Sequence, residues 1–426
     1  MTFKIKGGVR TSLLLMVLTA VNSAAGQRPT TPAADLGEAW QPMAFDAARA
    51  GNGLPVSVRF DVLRRAAATP AVVALPLSDG TTVRFTVQWS HADATEVAVA
   101  GPLVDGAGEA SLTVVNDAVS GRIVVGDRTF LVRRLPGTAA HLVSELDQAS
   151  LPHEAAPRTP PGARDHAAAD ADVAAGDSNA FVDLMILYTP AARAAIGGTS
   201  SMVAELTGAT NNANLALANA GVAHRFRLVH YREVSYVETG DMNVTLDHLT
   251  FSGDGQLETV PTLRNQYRAD VVTLFTTDPN FCGIGWMMGP SSISPSFAPY
   301  AFNVVNWTCA NANLTMAHEI GHNMGLQHDK ANAGSNAPAF PYAYGYGVNG
   351  LARDVMAYDC PSGCARRPIY STPLFNFPGT GVPAGTVDED TARALNGTST
   401  AVANFRQSTC SVTVSSASAN FQSASS

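Results

Sequence analysis

Apolar residues follow three successive rhythms along this chain. Between Val56 and Arg134 they come in short runs broken by turn residues. "AVVALPLSDGTTVRFTVQWS" holds two runs around Asp79-Gly80, and "GRIVVGDRTFLVRR" repeats the pattern around Gly126-Asp127. Both read as hairpins, so residues 26–150 are expected to form a small β-rich domain. Nothing in it clusters catalytic residue types. Over residues 151–178 large apolar side chains nearly vanish, leaving Pro, Ala and Asp. Such a stretch cannot bury enough surface to offset its ordering entropy, and reads as an exposed, cuttable linker.

Beyond it, over residues 179–407, strands and helices alternate. "AFVDLMILYTP" is a buried-strand pattern ended by Pro190. Thr199 or Ser200 can cap a helix with apolar positions at Val203, Leu206, Ala213 and Leu217, and Gly221 is placed to end it. "RFRLVHYREVSYV" reads as a long strand, and a helix over 257–267 leads into the buried strand "ADVVTLFTT". "CGIGWMM" and "YAFNVVNW" are further strand candidates. Asp388 can cap a last helix running towards Phe405. This alternation predicts an α/β domain. The Ser/Ala-rich residues 408–426 are expected to be disordered.

The N-terminus changes the picture. Lys4, Lys6 and Arg10 precede an apolar run from Leu13 to Val21, and small residues follow at Ala24 to Gly26. This is the pattern of a signal peptide over residues 1–25, and its apolar run is too short to span a bilayer. A secreted protein is expected. Its five cysteines, Cys282, Cys309, Cys360, Cys364 and Cys410, are then disulfide candidates. Pairing cannot be derived from spacing alone; Cys282–Cys309 and Cys360–Cys364 are the preferred pairs. An odd count leaves at least one cysteine without a partner inside the chain. A formal net charge of -8, with 15% charged residues, gives no basic face for nucleic acid and no attraction to an anionic membrane. Lysine is nearly absent while alanine and arginine abound, a bias expected of a bacterial genome.

The chemistry lies in "TMAHEIGHNMGLQHD", Thr315 to Asp329. His318 and His322 are four apart, so a helix puts both imidazoles on one face. Two such nitrogens can bind one Zn²⁺. Glu319 is rotated by about 100° from His318, so it can approach the open side of the ion without being a ligand. On a continued helix, His328 would point roughly 120° away from His322 and lie about 9 Å further on. Gly325 resolves this, because glycine tolerates positive φ and can end the helix and turn the chain back. Three histidine ligands leave a fourth position for water, as in catalytic zinc sites.

HExxHxxGxxH followed by the methionine of "DVMAYDC" resembles the metzincin zinc endopeptidases, most closely the secreted reprolysin-like (adamalysin-type, M12-like) family. The resemblance covers roughly Phe181 to Arg406 and includes Asp329 directly after the third histidine. It implies a mixed twisted sheet with helices around a cleft, one catalytic zinc, and Met356 as a hydrophobic base beneath it. It also implies an extended substrate strand docked on an edge strand, here Gly283, Ile284, Gly285 and Trp286. Tyr358, two residues after Met356, departs from the adamalysin form and resembles astacins and serralysins, in which such a tyrosine can stabilise the oxyanion. Packing is its other reading.

The expected function is hydrolysis of peptide bonds in extracellular proteins by a monomer, with Glu319 as general base. The front half is expected to be a propeptide that inhibits its own catalytic domain. No cysteine precedes Cys282, so a cysteine cap on the metal is excluded; Asp165, His166 and His153 are the candidate blocking residues. Alternatives are a non-catalytic metzincin-fold adhesion or toxin module, and a zinc amidase acting on cell-wall bonds. The acidic run at 387–390 favours a helix start without calcium. The sequons at Asn243, Asn306, Asn313 and Asn396 are expected to stay unmodified.

Overall fold

The computed structural model describes residues 33–161 and 180–407. The expected signal peptide, Asp165, His166, Cys410 and the Ser/Ala-rich tail lie outside the described residues. No helix among the described residues is long and apolar enough to cross a membrane.

Both hairpins of the front half are present. Ala71–Pro76 pairs antiparallel with Thr82–Thr86, and Ala118–Val125 with Arg128–Arg134. The second belongs to an eight-stranded sheet running from Trp40–Pro42 at one edge to Trp89–Ala92 at the other. Its inner face, with Phe85 and Trp40, encloses a core completed by Val62, Leu63 and Ala66 of the helix Phe60–Ala68.

The second half centres on a five-stranded sheet in the order Arg225–Glu233, Phe181–Tyr188, Val271–Thr276, Phe302–Asn306, Gly283–Gly285. The first four strands are parallel and the last is antiparallel, at the edge. Val271–Thr276 is buried throughout, as an interior parallel strand covered on both faces must be. The architecture is mixed α/β.

The helix Thr199–Asn219 follows the expected apolar spacing, but Gly198 rather than Thr199 or Ser200 occupies its cap. Gly221, at φ +68°, ends it as expected. Nearly all of its residues from Ser201 to Leu217 are buried, because both faces are covered. One face packs on the sheet. Against the other, Val203 and Ala204 meet Val115 and Ala118 of the front half. The last helix, Thr391–Val402, is capped by Asp390, whose carboxylate accepts from Arg393 N, and not by Asp388. Asp388 lies instead in the tight turn closed by Thr386 and Glu389. A helix Met242–Thr250, capped by Asp241, was not expected. Disulfides join Cys282 to Cys309 and Cys360 to Cys364.

The stretch read as a linker differs most from expectation. Residues 153–158 run extended along the outer side of the edge strand. Ala155 N donates to Gly283 O and Arg158 N to Gly285 O, while Cys282 N donates to His153 O and Met287 N to Arg158 O. Arg158 and Trp286 form a parallel bridge. The small side chains and prolines that argued against a packed core allow an added strand, in which backbone hydrogen bonds supply most of the contact.

Candidate active site

The helix Thr315–Asn323 carries His318, Glu319 and His322, all fully buried. Gly325 ends it at φ +88°, and Leu326 N closes back onto Gly321 O at 2.9 Å. A Cβ at Gly325 would lie 2.4 Å from Ala339 Cβ, so both conformation and space require glycine. The chain then returns through the short strand Gln327–Asp329, which places His328 beside the helix. His322 Nε2 lies 3.1 Å from His318 Nε2 and 3.0 Å from His328 Nε2.

The residues around these rings set their chemistry. His318 Nδ1 lies 2.9 Å from Val355 O and His322 Nδ1 2.8 Å from Leu326 O. A carbonyl can only accept, so each Nδ1 holds the proton and each Nε2 keeps its lone pair. Burial pushes all three imidazoles below their ordinary pKa, His322 to about 4. At neutral pH, uncharged nitrogens therefore face one another across a gap of about one hydrogen-bond length. Without a cation between them their lone pairs repel. The donor set and its outer carbonyl partners fit one metal ion held by three imidazoles.

Glu319 lies beneath the edge strand. A Cβ at Gly283 would come within 2.6 Å of Glu319 Oε1, and one at Gly285 within 3.1 Å of Oε2. These glycines let backbone pass directly over the carboxylate. Neither Glu319 oxygen has a hydrogen-bond partner among the described residues. Burial, then the neighbouring Glu154, raise its pKa well above the usual range, against the pull of Arg366.

Met356 is fully buried, its Sδ 2.5 Å from where a Cβ on Gly321 would lie. It packs under the helix between the turns bearing His318 and His322. Asp354 shapes this turn by accepting from Met356 N, Ala357 N and Tyr346 N with one oxygen and Ser371 N with the other. Burial lifts Asp354 to about 7 despite these bonds. Asp329 Oδ2 accepts from Tyr358 N at 3.0 Å, which ties the third-histidine segment to the methionine turn. The Tyr358 ring lies against His328, centroids 4.2 Å apart, and its hydroxyl donates to Glu154 O at 2.9 Å.

The site thus brings together His318, His322, His328, Glu319, Met356, Tyr358 and the strand from Gly283 to Trp286. His153 contributes only its carbonyl. Sequence reasoning passed over Glu154, whose buried side chain reaches within 4.8 Å of ligand-capable atoms of His318 and Glu319. It is the one glutamate in residues 151–178. Prolines at 152 and 157 favour extended backbone around it, the only local signal available.

A model of metallopeptidase family M12 (Reprolysin_5) matches residues 178–366. A peptidyl-Asp metalloendopeptidase of Xanthomonas campestris is 32% identical over 312 residues, covering 71% of each chain. A protein of the same name from Stenotrophomonas maltophilia is 30% identical over 343 residues, covering 78% of each. Among solved structures, metalloproteinase-II from Bacteroides fragilis aligns with a TM-score of 0.40 at 10% identity, covering 63% of this chain and 84% of that one, a likeness too distant to argue from. The chain belongs to metallopeptidase family M12 and is a metalloendopeptidase.

Proposed function

We propose that this protein is a zinc endopeptidase, exported by a bacterium as a latent precursor, that acts as a monomer on extracellular proteins at aspartyl residues. The aspartyl preference follows the names of its relatives. The observation that carries the reading is the convergence of three buried, neutral imidazoles, with His322 Nε2 3.1 and 3.0 Å from the Nε2 atoms of His318 and His328, beside a Glu319 without a hydrogen-bond partner among the described residues.

His318, His322 and His328 would hold the ion, and Zn²⁺ suits an all-imidazole set with an open position. When bound, it polarises the scissile carbonyl and makes water a better nucleophile. Glu319 accepts the proton of the attacking water and passes it to the leaving amine. Its burial raises its affinity for a proton and so favours holding the proton between the two transfers. Tyr358 donates to a peptide carbonyl already, that of Glu154, which supports a role for its hydroxyl at the developing oxyanion. Gly283, Ile284, Gly285 and Trp286 offer the docking edge. Their pairing with residues 153–158 supports that role and accounts for latency, since an internal strand occupies the edge. On this reading residues 1–25 direct export, 26–150 form the propeptide, 151–178 are processed, and 179–407 are the catalytic domain.

Casein cleavage by the purified zinc-loaded protein, with and without a chelator, tests this. Chelator-sensitive cleavage, by enzyme whose new N-terminus falls between 151 and 181, is expected. Absence of cleavage, or indifference to chelator, contradicts the peptidase; an active enzyme beginning near Gln27 contradicts the propeptide.

A further inference from the structure

Glu154 is a carboxylate from the front half, and the catalytic half supplies three donors to one of its oxygens; among the described residues Oε2 and Arg366 Nε have no partner. Glu154 Oε1 accepts from Arg366 Nη1 at 2.7 Å, Thr315 Oγ1 at 2.9 Å and Asn313 Nδ2 at 3.1 Å. Thr315 begins the helix that presents His318 and Glu319 one turn later. Arg366 is held in place by donating to Asn313 O at 2.7 Å and Ala357 O at 2.9 Å. Its side chain is 1% exposed.

The charges around Arg366 say what the receptor is for. Arg122 and Arg367 share Glu109, and Arg353 faces Asp359. Among the described residues, the one carboxylate at ion-pair distance from Arg366 is Glu154. Glu154 lies inside the proposed processing window, and a cut beyond residue 161 removes it. Once residues up to 161 leave, Arg366 keeps its two carbonyls but loses its anion, beside the reactive centre. The emptied pocket keeps a fixed guanidinium with the Thr315 and Asn313 donors beside it, a set that favours a ligand bringing a carboxylate.

The way Glu154 is presented says which ligand. It sits in a strand paired along the edge strand, and Tyr358 holds its backbone carbonyl. The pocket is therefore reached by a side chain of an extended peptide lying across the site. We propose that Arg366, with Thr315 and Asn313, is the receptor for the acidic side chain of the substrate, and that Glu154 fills it as an internal stand-in until the front half is displaced. The proposal rests on the peptidase reading above and deepens it. It assigns the discrimination to one guanidinium and makes latency and specificity two uses of one pocket.

The test compares matched peptides differing only as Asp or Asn at one position, using the zinc-loaded protein after processing. The native enzyme is expected to favour Asp by roughly 10–100-fold in kcat/KM, the scale of a charge-assisted hydrogen-bond pair. Arg366→Met should bring the ratio close to one; a ratio that survives overturns the proposal. Arg366→Met could fold poorly, so a second arm keeps the protein native. A synthetic peptide of residues 151–161 should inhibit turnover, and the same peptide with Glu154→Gln should be weaker by roughly 10–100-fold. Equal potency overturns the proposal. If the native protein shows no chelator-sensitive turnover, the peptidase reading fails. Direct binding of the two peptides, read by fluorescence anisotropy, then still decides whether the receptor exists.

Discussion

His322 Nε2 lies 3.0 Å from His328 Nε2, although six residues separate them, because Gly325 turns the chain at φ +88°. The convergence of the three imidazoles therefore depends on a residue outside the triad. Gly325→Ala places a side chain in the left-handed region and drives its Cβ to 2.4 Å from Ala339 Cβ. It is expected to cost about 1–3 kcal/mol of stability and to lower bound zinc. Urea denaturation together with metal analysis of the dialysed protein checks this. Native stability and full zinc content would show that the turn tolerates a side chain.

Glu319→Gln separates binding from turnover. Glutamine keeps the size of Glu319 beneath Gly283 and leaves all three imidazoles in place. Zinc content is expected to stay near native while kcat falls by roughly 10²–10⁴-fold, the range for loss of a general base. Proteolysis at native rate by this variant would assign the proton transfer elsewhere.

Most of this site was legible because its logic is local. The i, i+4 spacing of His318 and His322, the glycine three residues later and the returning His328 are constraints of one short segment. Both disulfides and the edge position of Gly283–Gly285 were also anticipated. What was not legible is long-range. Glu154 meets Arg366 across 212 positions, and no local pattern reports a carboxylate that will meet a guanidinium from another sheet. The same reason hides the second buried face of Thr199–Asn219, which exists only because the front half covers it. The cap errors at Gly198 and Asp390 are of another kind. Several adjacent residues could cap, and tertiary packing chose among them.

Tyr358→Phe removes one hydroxyl and keeps the ring against His328. After processing, kcat is expected to fall, by up to about 10²-fold, with KM little changed, if the hydroxyl acts only on the developing oxyanion. In the full-length chain the same change removes the bond to Glu154 O, so residues 153–158 should be cut by an added protease more readily. A variant with native kcat would leave Tyr358 as a packing residue that anchors the front half.

Acid should weaken the folded chain through a buried histidine outside the triad. His141 is fully buried, and its Nε2 accepts from Val119 N at 3.1 Å. Burial, then the charge of Arg134, push its pKa from 6.5 down to about 4. Between those values the unfolded chain binds a proton that the folded chain refuses. The neutral ring's contribution is therefore complete above about pH 6.5, shrinks as pH falls, and is gone near pH 4. The depression of 2.5 pH units (6.5 minus 4) corresponds to at most about 3–4 kcal/mol. His224, lowered to about 3 by burial, adds a loss of the same sign over a wider window. His141→Gln keeps an acceptor for Val119 N and does not titrate, so its denaturation midpoint should fall less between pH 7 and pH 4 than that of the native protein. Parallel pH profiles for the two proteins would remove His141 from the acid response.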